Sequence, residues 1–397
     1  MRLRSISCAV AALSVTVFVQ AAAAASDDDD SVPKTEKSGT LDQPVVTGPL
    51  KANPQPASFT AGPLGKINVS GVVSGYGLLQ DHTPPDDRPG RIDFSNLQMI
   101  VQKADGPVQF YAQTGLYSIP ALGQPNSSAI ETSSHMFGFV PIVYGKVKLG
   151  EEFSIQGGKL PSLIGGEKTF TFQNMNIEQG LLFNQSNNVN KGVQLTYSSG
   201  PAVISASLND GFYSDRLTWL IGSFVYKFDD SNRINFSAGA NLDRSSHESI
   251  ATPLLQNNSS IYNITYGYKS GPWIISPYLQ FTHVSRDLTL DISESASTYG
   301  GALLASYALT PEFSLAGRFE YIVQSGSRST GVTSLLYGPG SRALSATLTP
   351  TYQVDRYFLR GEYSLVGAIN ATPGLAFGKN GTKTRQNRVL IETGILF

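Results

Sequence analysis

Three pairs of opposite charges recur late in the chain at short spacing: Arg318 with Glu320, Arg360 with Glu362, and Arg388 with Glu392. On an extended chain, residues two or four apart project to the same side, because side chains alternate with period two. Two uses are open to such pairs. They can line a pore and set a transverse field that acts on passing ions, or they can bridge neighbouring strands as structural ion pairs. A second group of charges, Glu167, Lys168 and Glu178, lies in a stretch with no strand alternation. The four histidines, His82, His135, His247 and His283, fall in or near four different predicted loops. None has a Ser/Asp or His/Glu partner at catalytic or metal-ligating spacing. The expectation is a protein that is not an enzyme, carries no cofactor or metal, and does not bind nucleic acid.

The elements that position these charges are strands. In FSLAGRFEYIVQ, residues Phe313, Leu315, Phe319 and Tyr321 share one face, and Ser314, Ala316, Arg318 and Glu320 share the other. RINFSAGANL and the final strand repeat the pattern, with Arg388 and Glu392 on the polar face. Period-2 alternation marks strands with one apolar and one polar side. A soluble sandwich would alternate too. Against it stand the length of the runs, about 10 to 14 residues where soluble strands favour about 5 to 6, and aromatics at turn-proximal ends. Tyr197, Tyr226, Tyr268, Trp273, Tyr307, Tyr352 and the terminal Phe397 form the expected girdle at a membrane interface. Short Gly-, Pro- and Asp-containing turns alternate with longer polar loops, which is the asymmetry of an outer-membrane barrel. The fold class is therefore all-β, a transmembrane antiparallel up-and-down barrel of about sixteen strands, with 14 or 18 as alternatives. Pro277, mid-strand, removes a ladder donor and predicts a local bulge.

The ends define the organisation. Arg2 and Arg4, an apolar run over 9–19 and small residues at 21–25 read as a secretory signal peptide over 1–25. Residues 26–65, rich in Pro, Gly, Ser and charge, read as a disordered periplasmic linker, and 66–397 as the barrel. Cys8 is the sole cysteine and falls in the signal, so disulfides are not expected. The whole chain carries a formal charge of −1, and residues 66–397 are formally neutral.

Between Gly157 and Gly211 the segments Gly158-Lys-x-Pro-x-Leu-Ile-Gly-x-Glu167, Leu181-Leu182-Phe183, Gly192-Val193-x-Leu-x-Tyr197 and Asn209-x-Gly211 resemble the OmpL-like putative β-barrel porin-2 family. LTPTYQVDRYFLRGEYS (348–364) is similar to that family's penultimate hairpin, and the chain ends in Phe397, as outer-membrane barrels commonly do. The resemblance implies a bacterial outer-membrane porin.

Sixteen strands leave an aqueous channel, whereas eight would be filled by side chains. The expected function is passive diffusion of small hydrophilic solutes with weak ion selectivity, since a neutral barrel lacks a single-sign field. The loop over 160–189 is the longest, and its apolar PSLIGG and GLLF segments suit it to fold inward as the constriction, with Glu167, Lys168 and Glu178 at the rim. The competing reading is a barrel plugged by that loop, acting as an envelope anchor or binding protein. The expected partners are outer-membrane lipid, the solutes and, by analogy with other porins, two further copies in a homotrimer.

Overall fold

The computed structural model describes residues 50–397 apart from Asp86. The expected signal peptide and most of the linker (26–49) lie outside the described residues.

The alternating runs pair into seventeen strands: β1 (Ala57–Thr60), β2 (Lys66–Gln80), β3 (Gly90–Lys103), β4 (Val108–Tyr117), β5 (Ile142–Lys148), β6 (Phe153–Pro161), β7 (Val189–Ser199), β8 (Ala202–Asn209), β9 (Trp219–Lys227), β10 (Asn232–Asn241), β11 (Ser259–Ser270), β12 (Trp273–Val284), β13 (Ala296–Ala308), β14 (Phe313–Gln324), β15 (Arg342–Val354), β16 (Tyr357–Ile369) and β17 (Arg385–Leu396). From β2 to β17 each strand pairs antiparallel with its sequence neighbours. The last then pairs with the first, from Arg388 opposite Gln80 to Leu396 opposite Val72. The result is a closed sixteen-stranded barrel with one extra short strand. Short turns such as 200–201, 271–272 and 355–356 alternate with long connections at the other end, among them 118–141, 162–188, 325–341 and 370–384.

Burial follows the pattern read from the sequence. On β14, Phe319 and Tyr321 are exposed while Ala316, Arg318, Glu320 and Ile322 are buried. Outward Ile92 is 93 % exposed, which in water would be an aggregation surface. In a bilayer it is the lipid-facing side, and closure of the ring pairs the backbone groups that hydrocarbon cannot solvate. No helix among the described residues is long and apolar enough to cross a membrane. The girdle aromatics sit outward near the short-turn ends: Trp273 and Tyr307 are opposite each other with ring centroids 4.6 Å apart, and Tyr197 lies 4.7 Å from Phe153.

Two irregularities differ from expectation. At Pro277 there is no bulge: the β11–β12 register is the same before and after it, from Thr265 opposite Tyr278 to Tyr268 opposite Ile275. The proline keeps its place opposite Leu303 of β13, and pairing lapses only on the β11 side, where its missing N–H would have donated. The shift in register lies instead between β2 and β3, at Ser74/Gly75, where Ser95 is the extra residue. A bulge re-aims side chains. Here Ser95 and Asn96 are both fully buried, and Asn96 Nδ2 donates to Thr171 Oγ1 at 2.7 Å, a residue of the 162–188 connection.

The end of the expected linker is ordered. Strand β1 pairs with the start of β2, Ala57 opposite Val69 to Thr60 opposite Lys66. It takes up the edge that β17 leaves open below Phe397, whose N–H and C=O both bond to Gly71. The Phe397 ring also covers Gly71, where a Cβ would come within 2.5 Å of it. Upstream, Leu50 is buried against Val72, Phe358 and Leu396, with Phe172 packed beside them. Gln353 locks Lys51 in place, accepting its N–H at 3.0 Å and donating to its C=O at 2.8 Å. Leu50→Ala should therefore cost about 2 kcal/mol or more, read as a lower midpoint for unfolding of the detergent-solubilised barrel. An unchanged midpoint would mean that this segment rests on the barrel without supporting it.

Candidate functional site

The 162–188 connection does not stay at the rim. No residue from 161 to 190 is exposed, which for a loop means that it runs inside the barrel. Its sequence explains the choice. Met175, Leu181 and Leu182 pack with Leu122 against the inward Tyr278, Ala302, Leu304, Ala316, Ala343 and Val366 of β12–β16. Phe170 joins Tyr111, Tyr117, Tyr144 and Leu160 on the opposite arc, and Ile164 meets Trp219, Ile221 and Ile261. Short 3-10 turns at Thr171–Gln173 and Phe183–Gln185 let the chain reverse within this space.

Apolar contact alone would not fix such a loop, because its backbone N–H groups need acceptors once water is gone. The wall supplies them as carboxylates. Glu362 accepts from the N–H of Ile177 (2.5 Å) and Glu178 (2.9 Å), with Thr349 Oγ1 donating at 2.6 Å. Glu320 accepts from the N–H of Leu181 (2.9 Å) and Leu182 (3.1 Å), and from Ser345 Oγ at 2.6 Å. The loop returns two carboxylates of its own. Glu167 meets Arg318 at 2.5 Å and accepts from the Gly180 N–H at 3.0 Å. Glu178 meets Arg388 at 2.7 Å and accepts from Ser364 Oγ at 2.8 Å. Arg360 pairs with Glu392, directly opposite on β17, and also donates to the carbonyls of Asn174 (3.0 Å) and Thr171 (3.1 Å). Arg388 reaches a second loop through the carbonyls of Ala121 (2.8 Å) and Gln124 (2.6 Å). Gly180 is obligatory, since a Cβ there would stand 2.2 Å from the Glu320 carboxylate.

All six wall charges expected to line the pore, Arg318, Glu320, Arg360, Glu362, Arg388 and Glu392, do point inward. Each is at most 3 % exposed, because the loop lies over it. They act as the ion-pair alternative requires, and no open channel surface reaches them. Glu167 and Glu178 likewise turn to the wall, their side chains fully buried, and do not stand at a rim. Lys168 is half-buried. It lines a concavity with Ser162, Leu163, Asn187, Asn188 and, from the far wall, Asn235 of β10.

Sequence reasoning missed Thr171, Asn174 and Asn176, whose side chains join the clamp, and Tyr278, whose hydroxyl lies 3.4 Å from Glu167. None carries a signal, because polar residues in an irregular stretch have no period. The histidines are dispersed: His283 lies within β12, bonded to Ser297 at 2.8 Å, and His135 ends a short helix. Among the described residues no group of three or more His, Cys, Asp or Glu could hold a metal ion.

The sequence model of the family described as putative beta-barrel porin-2, OmpL-like, matches residues 66–397. No curated protein matches the chain. Among solved structures, the outer membrane channel DcaP of Acinetobacter baumannii is similar with a TM-score of 0.59 at 12% identity, covering 86% of this chain and 100% of its own. A loop-deletion mutant of OmpT, an outer membrane protein of Vibrio cholerae, gives 0.54 at 12% identity over 83% of this chain and 99% of its own. A trimer form of OmpT gives 0.53 at 11% identity over 83% and 99%. At such identities the likeness is one of fold.

Glu320→Ala would leave the Leu181 and Leu182 amides without acceptors. The expected loss is about 3 kcal/mol or more, seen as a lower denaturant midpoint together with new protease cleavage inside 162–188. Loss of stability without cleavage would show that the loop is held by its apolar contacts alone.

Proposed function

The chain belongs to the putative β-barrel porin-2, OmpL-like family, a family of outer-membrane porins, and from that membership we propose that it is a weakly selective diffusion channel whose bore is set by the 162–188 loop. The observation that carries this reading is the clamp: a loop anchored to the β12–β17 arc by buried ion pairs, and packed on the other strands through Phe170 and Ile164, takes up a fixed part of the lumen and does not gate it by flapping. The uncharged polar middle of the β7–β11 inner surface supports it. Gln194, Ser205, Ser207, Ser223, Asn263 and Thr265 of β7–β11 point inward. Such groups hydrogen-bond water and solutes without trapping them. Passage is by diffusion of small hydrophilic solutes across the bacterial outer membrane.

The complete burial of the loop is the observation that favours the second reading, a lumen plugged outright. Single-channel recording on the refolded mature protein separates the two. Stable current steps from the intact barrel, growing when the 162–188 loop is shortened, are expected. Silence from the intact barrel, with current only after shortening, would overturn the channel reading in favour of a plug. A homotrimer is the assembly proposed, supported by the trimer form of the similar OmpT; cross-linking of the purified protein should give a band at three chain masses, and a band at one would refute it.

A further inference from the structure

The long-loop end of the barrel differs in charge around the ring. Every connection there other than 325–341 and 370–384 carries at least one Asp or Glu, from Asp81 in 81–89 to Glu294 in 285–295. Those two carry none. They contribute Arg328, Lys379 and Lys383, and the strands they feed begin with Arg342 on β15 and Arg385 on β17. All five cations are exposed.

Arg342 and Arg385 stand on the membrane side of the wall and not in the lumen. The residues after them, Ala343 and Gln386, are buried inward, so alternation turns both arginines outward. Further along the same face Leu348, Tyr363, Val389 and Ile391 are exposed and belong to the lipid-facing band. Arg342 is opposite Ile369 and Arg385 opposite Gly367, on the two sides of β16. The two arginines therefore flank the outer end of a single strand, about 10 Å apart. A cation is costly within hydrocarbon, but a long side chain at a strand end lifts its head to the level of the lipid head groups.

Neither guanidinium is used by the protein. Among the described residues the side chains of Arg342 and Arg385 make no hydrogen bond or ion pair. Asp81, the carboxylate of the neighbouring connection, turns to Asn387 instead and accepts from its N–H and its Nδ2 at 2.7 Å each. His82 bonds only to the Arg385 carbonyl, at 3.0 Å, and leaves the guanidinium alone. The platform behind the arginines is ordered. Arg328 donates to the Ala371 carbonyl at 2.6 Å, the Thr372 N–H donates to the Tyr337 carbonyl at 2.8 Å, and the Tyr337 and Phe377 rings meet at 5.2 Å. The two acid-free connections thus hold each other, and with them the strand ends that carry the cations.

We propose that Arg342 and Arg385, with Lys383 two residues before the latter, hold the phosphate of a lipid head group in the outer leaflet, with the acyl chains lying along Leu348, Tyr363, Val389 and Ile391. The chemistry selects this partner. A guanidinium matches phosphate oxygens two at a time, and basic clusters at membrane level recognise anionic lipid. The apolar band beside the arginines is a surface that a lipid uses and a free anion does not. An acidic protein arriving from outside would meet the loop tops and not this lateral wall. The inference needs only the outer-membrane location and holds whether the lumen conducts or is plugged.

The test is a lipid titration of the purified full barrel, in zwitterionic detergent near 0.1 M salt, read by native mass spectrometry. The probes are bis-phosphorylated lipid A and its dephosphorylated derivative. Saturable binding of the first is expected, with the second at least tenfold weaker. Arg342→Gln/Arg385→Gln should weaken binding of the phosphorylated lipid by about tenfold or more, and Arg342→Lys/Arg385→Lys should restore most of it. Both positions are exposed and outside the clamp, so the unfolding midpoint without lipid should not move. Arg356→Gln, exposed at the short-turn end, should bind as the parent does. Equal binding of the two lipids, or undiminished binding by the double Gln variant, would overturn the inference. Displacement of the lipid by an equal concentration of inorganic phosphate would overturn it too, and would assign the arginines to a free anion.

Discussion

A carboxylate removed from water must find donors, and in this barrel Glu320 and Glu362 find them on the backbone of a single loop. Two pairs of demands meet there: the N–H groups of Ile177 and Glu178, and of Leu181 and Leu182, each need an acceptor, and the wall carboxylates need donors. Desolvating either side alone would cost several kcal/mol per charge. Together they fix the loop's path to within a hydrogen bond. The arginines complete the arrangement, since a guanidinium has five donors in a planar fork and can serve a carboxylate and a loop carbonyl at once. Arg318, Arg360 and Arg388 all do so.

This constraint divides the interior. The arc from β12 to β17 and β2 carries the clamp and the apolar contacts with Met175, Leu181 and Leu182. The arc from β7 to β11 carries polar uncharged side chains, the apolar Trp219, Ile221 and Ile261 against which Ile164 packs, and cations at its inner end. A strand has only one inward face, so a residue used to hold the loop cannot also meet a solute. The same economy appears at the seam, where β17 covers β2 from Val72 outward and β1 covers it from Val69 inward.

Net charge is silent about this division. Residues 66–397 sum to zero, yet the strands are basic and the turns carry the acids. Placement follows from the solvent at each position. Exposed turns accept carboxylates freely, whereas an inward strand position admits one only beside donors, as Glu392 sits beside Arg360 and Thr171. A long lysine or arginine near a strand end can instead extend its stem along the wall and keep its head in water.

Much of the fold was legible in the sequence because a bilayer enforces period two on every crossing. The alternation through Phe313–Gln324 specified which side of β14 would bear Arg318 and Glu320, and the turn residues specified where each strand would reverse. The position and inward fold of the 162–188 loop were also legible, from its length and its apolar segments. What that loop does with its charges was not. Irregular chain has no period, so whether Glu167 and Lys168, adjacent in sequence, face the wall or the lumen depends on Arg318 being 151 residues away and within reach. For the same reason Ser95 gave no sign of the bulge, and Ala57–Thr60 looked like linker until β2 presented an unpaired edge. The local periodicity of the sequence determined the wall and the membrane face, and put the ring at about sixteen strands. Only the tertiary structure decided which charges are buried and by what, because burial is a property of what lies opposite, and in a barrel the opposite side is remote in sequence.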